Sequence, residues 1–311
     1  MGKYATGTDF YCYNATATSS VSCGADIAPN SLTIKPNVAP VTYKNIGAMF
    51  TMAKNMSANP DGATGGNAVT NNLSTNTMNL TNLSQTRMLK DADWGAVVYL
   101  STSDYGALGA GNAKVYNNGY YNSAATANSA TIWQYQTGCG PVATGSDSYN
   151  TTCNAYYTEI GQTASTTGNT SGVYDMAGGV WEYAMANRNN TSDATYMATM
   201  PSAKYFNNYT VPPFGTQPIG SDSNEYYFNF DICAYETCGG HANYETITVQ
   251  SASLLAQSWG GDYSRSVDSS GPWAYRGGRS SDGSNAGLFA VYRNTGNVSF
   301  SFGFRVLQSA F

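Results

Sequence analysis

Six cysteines and a single histidine are the side chains here best suited to soft-metal ligation or redox chemistry. The cysteines fall in three close pairs: Cys12 with Cys23, Cys139 with Cys153, and Cys233 with Cys238. No pair has Cys-x-x-Cys spacing and only His241 adds an imidazole, so a zinc-type ligand set is missing. Disulfides suit the pattern better. Nearest-neighbour pairing is the simplest of the connectivities that six cysteines allow. Each bridge would then close one polar loop, worth about 2–3 kcal/mol if unstrained. Such bridges imply an oxidising compartment.

His241 lies in CGGHANYET, a turn-like stretch with no companion nucleophile in a recognisable motif. It reads as a loop or satisfied buried histidine, not as a catalytic base. The RGG and AGG passages are not followed by Gly-Lys-Ser/Thr, so no phosphate-cradling loop is present.

Composition narrows the partners. Charged residues make up 11% of the 311, against about 25% in an average soluble domain. Formal net charge is −5, and no Lys/Arg cluster supplies the footprint of a nucleic-acid binder. No apolar run reaches the roughly 20 residues of a membrane span. With 33 Gly and 25 Tyr, the chain reads as loop-rich, with aromatic anchors holding irregular backbone. Met1-Gly2-Lys3-Tyr4 has no signal-peptide pattern. The exported state that the cysteines imply is therefore expected to depend on a leader or anchor outside this sequence, or on release of a phage-borne protein by lysis.

The elements that must position any site are few. Residues 44–56 place Ile46, Met49, Phe50, Ala53 and Met56 at helical spacing. A second helix is expected from about Thr86 to Ser101, with Met88, Trp94, Val97, Val98 and Ser101 as its apolar stripe and Asp91 and Asp93 in its first half. Residues 57–82 and 106–170 read as polar insertions into one domain spanning 1–311. Near the end, Phe300, Phe302, Phe304 and Val306 alternate with Ser299, Ser301, Gly303 and Arg305, the period of a half-buried strand.

The passage GVYDMAGGVWEYA (Gly172 to Ala184) resembles the G-x-Y-D-M-x-G-N-V-W-E-W signature of the formylglycine-generating-enzyme (sulfatase-modifying factor) family, a variant of the C-type lectin fold. GKYATG (Gly2 to Gly7), MLKDADWGAVVYL (Met88 to Leu100) and RGGRSS…GLF…GFRVL (Arg276 to Leu307) are similar to further motifs of that family, in its order. The resemblance implies an α+β, C-type-lectin-like fold, loop-rich with long insertions. It does not bring the oxidase chemistry, which needs two thiols shortly before the terminal Gly-Phe-Arg. Trp259 to Phe311 contains no cysteine. The resemblance leaves calcium open as a cofactor: Glu182 stands at a ligand position, but Gly179 replaces the family's Asn. Calcium takes about six to eight oxygens, so Glu182 is expected to pair with a framework arginine, Arg276 or Arg305, ahead of a metal. Asn59-Pro60-Asp61 is near a sugar-binding triplet of calcium-dependent lectins, and sugar binding is not carried over from it.

A narrower resemblance covers residues 259–307, which look like the variable region of proteins diversified by diversity-generating retroelements. Their frames are matched at Trp259 to Asp262, Pro272 to Gly278, Ala286 to Phe289 and Gly303 to Arg305. Between the frames, or at the open position of the second frame in the case of Tyr275, lie Arg265, Tyr275, Arg279, Ser280, Tyr292, Arg293, Asn294, Asn297 and Ser299. Large Tyr and Arg with adaptable Ser and Asn is a paratope composition. Trp259, Trp273, Phe289, Phe302 and Phe304 are the expected floor. The function implied is an extracellular, cell-surface or virion-surface recognition protein, not an enzyme, that binds a protein or surface polymer. A structural pilus or appendage subunit is the alternative.

Overall fold

The computed structural model describes residues 2–8, 32–54, 56, 84–111, 114–123, 134–188, 190–209, 256–257, 261–264, 267 and 270–310. Expectations for Cys12, Cys23, Cys233, Cys238, His241, Trp259, Arg265 and the excursion at 57–82 lie outside the described residues.

The chain is α+β, with more sheet than helix. β1 (Gly7–Thr8) runs antiparallel between β2 (Leu32–Thr33) and β3 (Ala39–Pro40). Helix α1 (Ile46–Lys54) begins after Asn45, whose side-chain oxygen accepts from the Ala48 amide at 2.8 Å, a side-chain cap on an orphan donor. Ile46, Met49 and Ala53 form its buried stripe, and Met56 is fully buried just past its end.

The second expected helix is shorter than its apolar pattern suggests. Residues 84–88 instead form β4 (Ser84–Met88), antiparallel to β14 (Val306–Ala310), with Met88 opposite Val306. Helix α2 (Asp91–Ser101) starts only after Lys90. Asp93 sets that boundary: one carboxylate oxygen accepts from the Lys90 amide at 2.8 Å, and both bind the Arg87 guanidinium at 2.5 and 3.0 Å. The capping geometry and the terminal strand outweigh the helical spacing of Met88.

β5 (Cys139–Gly140) pairs with β6 (Asn154–Ala155), and the Cys139–Cys153 disulfide closes the loop between them. The short helix α3 (Glu159–Gln162) follows, capped by the Thr158 hydroxyl. No helix among the described residues is long and apolar enough to cross a membrane.

In the main sheet β7 (Trp181–Arg188) lies between β13 (Phe302–Phe304), parallel, and β11 (Trp273–Arg276), antiparallel. β12 (Val291–Asn294), β10 (Tyr263–Ser264) and β9 (Ala256–Gln257) continue beyond β11, and β8 (Asn207–Tyr209) also pairs with β7. Side chains alternate across this sheet. Trp181, Tyr183 and Met185 of β7 join Trp273, Tyr275, Phe304, Ile46 and Met49 in the largest core cluster. On the other face, Ala186 packs with Ala274, Val291 and Val267.

The expected half-buried terminal strand begins only at Phe302, with Ser299, Phe300 and Ser301 in the turn before it, and its polar positions are more buried than the alternation suggests. Ser301 is 3% exposed and Arg305 0%, although both occupy the polar positions of the alternation. The strand is also interrupted at Arg305, where β13 ends and β14 begins. A buried guanidinium is tolerated there because it donates to both Glu182 oxygens at 2.6 and 2.9 Å and to the Gly2 and Tyr174 carbonyls at 2.8 Å each.

Candidate binding face

Six aromatic rings from five strands form a layered patch on one face of the main sheet. Its floor is Trp181 and Tyr183 of β7 with Tyr275 of β11, exposed by 6%, 1% and 7%. Tyr263, Tyr292 and Phe302 are half-buried and pack against that floor. Tyr275 meets Trp181 edge-to-face at 4.6 Å, stacks on Tyr292 at 5.7 Å and lies 5.0 Å from Phe302. Tyr263 stacks on Trp181 at 6.2 Å and meets Tyr292 edge-on at 6.2 Å. Offset and edge-on rings in contact are each worth roughly 0.5–1.5 kcal/mol beyond their burial, which stiffens the layer.

The loop after β12 is tied to the same layer. The Tyr183 hydroxyl donates to the Asn294 side-chain oxygen at 2.8 Å and to the Asn297 carbonyl at 3.0 Å. The Asn294 oxygen also accepts from the Gly296 and Asn297 amides at 2.9 and 3.1 Å. Asn294 is therefore a clamp for the 294–297 turn. The Asn297 side-chain oxygen is buried and accepts no hydrogen bond among the described residues. Burial raises the Tyr183 hydroxyl well above its ordinary range and raises Tyr263 as well, so both are neutral donors at physiological pH.

The expected binding residues divide into groups. Tyr275, Tyr292, Asn294 and Asn297 come together in and around the aromatic layer, with Tyr275 in its floor. Arg293 follows Tyr292 on β12 and so points to the other face, where it donates to the Ser270 hydroxyl. Ser299 pairs hydroxyl to hydroxyl with buried Ser301 at 3.1 Å. Arg279 is about a third exposed and bound to Asp282 at 3.0 Å. Ser280 is 0% exposed, and its hydroxyl contacts the Tyr120 and Gly179 carbonyls at 2.9 and 3.2 Å, so it is a strut and not a surface residue. Of the expected floor residues, Trp273, Phe289 and Phe304 are buried and Phe302 lies at the rim. Trp181, Tyr183 and Tyr263 also belong to the layer, although they lie outside the expected binding residues and floor. Their signal is the Trp-x-Tyr alternation of WEYA and the tyrosine beside Asp262.

The other charged residues of these passages act as framework. Arg276 lies 3.4 Å from Asp91, with its guanidinium 5.8 Å from the Trp94 ring centroid. The Asp175 carboxylate accepts from the Gly138 and Ala5 amides and the Asn118 side chain, joining three distant segments. Asp262 accepts from the Phe289 amide at 3.1 Å. Burial pushes Asp262 and Glu182 each up to about 7, while Arg276 and Arg305 respectively pull them back; it also raises Asp175.

Calcium does not fit Glu182 in this arrangement. Both of its oxygens are bound to Arg305, the guanidinium already supplies the countercharge, and Gly179 offers no side-chain oxygen. No protein-family model and no curated protein matches this chain.

Proposed function

We propose that this chain is a recognition protein displayed outside the cell or on a virion. Its scaffold is the C-type-lectin-like fold of the formylglycine-generating-enzyme type, and its partner is a protein or surface polymer. The binding face is the rim of the aromatic layer: Tyr263, Tyr292 and Phe302. One observation carries this reading. Rings that are half-buried rest on rings that are buried and locked, so a large apolar and hydrogen-bonding surface is held stiffly enough to bind without much loss of side-chain entropy. The function is affinity alone, with aromatic anchors buried by the partner and polar neighbours fixing its orientation. The absence of cysteine between Trp259 and Phe311 supports binding over thiol oxidation.

In its strong form the reading has a genetic test. The DNA flanking the gene should hold a reverse transcriptase and a near-copy of the segment encoding residues 259–307. The differences should fall at adenines and concentrate in codons of rim residues such as Tyr263 and Tyr292. A near-copy whose differences fall instead on Trp181-facing floor residues such as Tyr275, or flanks with neither feature, would overturn retroelement diversification. Protein chemistry tests the face itself. Tyr292→Ala should cost about 1–2 kcal/mol of unfolding free energy, whereas Tyr275→Ala should cost about 3–5 kcal/mol. Equal losses would mean that the rim is core and not a binding face.

A further inference from the structure

Two ring triads in this chain share one geometry, and the first of them holds an ammonium group. There Tyr4 and Tyr174 stack at 5.5 Å with 26° between their planes, and Tyr156 stands edge-on to both at 5.8 and 6.0 Å. The Lys3 Nζ lies 5.8 Å from the Tyr4 and Tyr174 centroids and 5.9 Å from that of Tyr156. In the second triad, Trp181 and Tyr263 stack at 6.2 Å with 27° between their planes, and Tyr292 lies 6.2 Å from each, at 54° and 70°. We propose that this second triad, at the rim of the aromatic layer, seats a quaternary ammonium group carried by a surface polymer. The seat is part of the recognition face proposed above, so the assignment rests on that reading and gives the partner a chemical class.

Ring faces attract cations through their quadrupole, indole most strongly and phenol next. The outer triad supplies one indole and two phenols. The inner triad shows how such a set treats an ammonium: it centres Lys3 almost equally among three rings. The Lys3 ammonium also donates to the Thr170 carbonyl, because a primary ammonium carries N–H groups that need acceptors. A quaternary ammonium has none, so ring faces alone can satisfy it. Tyr4 and Tyr174 are buried beneath Lys3, whereas in the outer triad only Trp181 is buried and Tyr263 and Tyr292 reach solvent. Tyr275 packs below, 4.6 Å from Trp181 and 5.7 Å from Tyr292, and presets the spacing.

Electrostatics favour a cation over an anion or a neutral apolar group. Burial first, then the Asp282 charge and Tyr292, raise the Tyr263 hydroxyl, and Arg279 opposes them least. The field at this ring is therefore negative on balance, in the same sense as the chain's formal charge of −5. One such seat binds weakly. Repetition of the group along a polymer, met by many displayed copies of the protein, raises the avidity without further contacts.

An NMR chemical-shift titration of the full-length oxidised protein with choline chloride tests the seat. Choline should bind with a Kd of about 1 mM, and its uncharged isostere 3,3-dimethylbutanol about tenfold more weakly or worse. Tyr263→Leu keeps an apolar side chain but removes the ring, and should weaken choline about tenfold or more. Tyr149→Ala, at an exposed position outside the triad, should leave it unchanged. Equal binding of choline and the isostere, or choline binding that survives Tyr263→Leu, would refute the cation seat while leaving the rim as an apolar recognition face. No binding of choline would refute the seat alone, since the face itself stands or falls on the unequal stabilities of Tyr292→Ala and Tyr275→Ala. Phosphocholine-agarose should retain the protein and free choline should release it. Sedimentation with phosphatidylcholine vesicles without retention on that matrix would assign the seat to a lipid surface and overturn the polymer.

Discussion

Glu182 and Arg305 show how a charged pair can belong to the core of a protein that has few charges. Both side chains are at most 2% exposed, and the guanidinium has an acceptor in four directions. A buried pair of this kind contributes little over an apolar substitute, but removing one member strands the other. Glu182→Ala is therefore expected to destabilise by about 3–5 kcal/mol, read as a fall in the denaturant midpoint at unchanged slope. A change within about 0.5 kcal/mol would mean that water or another group satisfies Arg305. The pairing of Glu182 with a framework arginine follows from the motif resemblance, in which Gly179 stands where the resembled family has Asn. The choice of Arg305 over Arg276 does not, because it depends on β13 lying parallel to β7 so that Gly303 registers with Glu182. Arg276 instead meets Asp91 across the sheet–helix junction.

At the scale of elements, local patterns succeeded where a single face is buried and misled where two partners compete. The stripe Ile46, Met49, Ala53 marks α1 because only one face meets the core. Residues 86–88 fit the start of a helical pattern through Met88, yet residues 84–88 pair with residues 306–310, some 220 positions away, which no local window contains. The aromatic layer was half visible. Tyr275 and Tyr292 stand out by type, but their burial differs because Tyr275 sits between β7 and β12 while Tyr292 lies one strand nearer the edge. The Cys139–Cys153 bridge, expected from proximity alone, is present with a Cα–Cα distance of 5.1 Å and a separation of 14 residues. Replacing both cysteines by serine should lower stability by about 3 kcal/mol, the chain-entropy value for a loop of this size. The loss should appear as faster amide exchange in residues 140–152 before the main sheet opens. Uniform exchange across the sheet would show that the bridge supports the whole fold and not this loop.

Across the whole molecule, distant segments are joined through buried carboxylates. Asp175 ties the Ala5 amide to Asn118 and Gly138, Glu182 ties β7 to Arg305, and Asp262 ties the β10 end to Phe289. Burial raises all three above the ordinary carboxylate range, Asp262 to about 7; Arg305, bound to both Glu182 oxygens, opposes the rise there, so the proton the fold retains is chiefly that of Asp262. In the unfolded chain such groups release their protons near about pH 4. Between that value and about 7 the folded protein holds protons that the unfolded chain has lost, so folding is progressively disfavoured as pH rises. The contribution is fully present below the unfolded value and disappears as pH passes through the folded one. Urea midpoints should therefore decline from about pH 4 towards pH 8, the reverse of ordinary acid denaturation. Asp262→Asn keeps an oxygen for the Phe289 amide but cannot titrate, and should flatten the decline by up to about 1.4 kcal/mol per pH unit. Parallel curves for parent and variant would show that Asp262 is ionised in the fold, with Arg276 and not a proton balancing its charge.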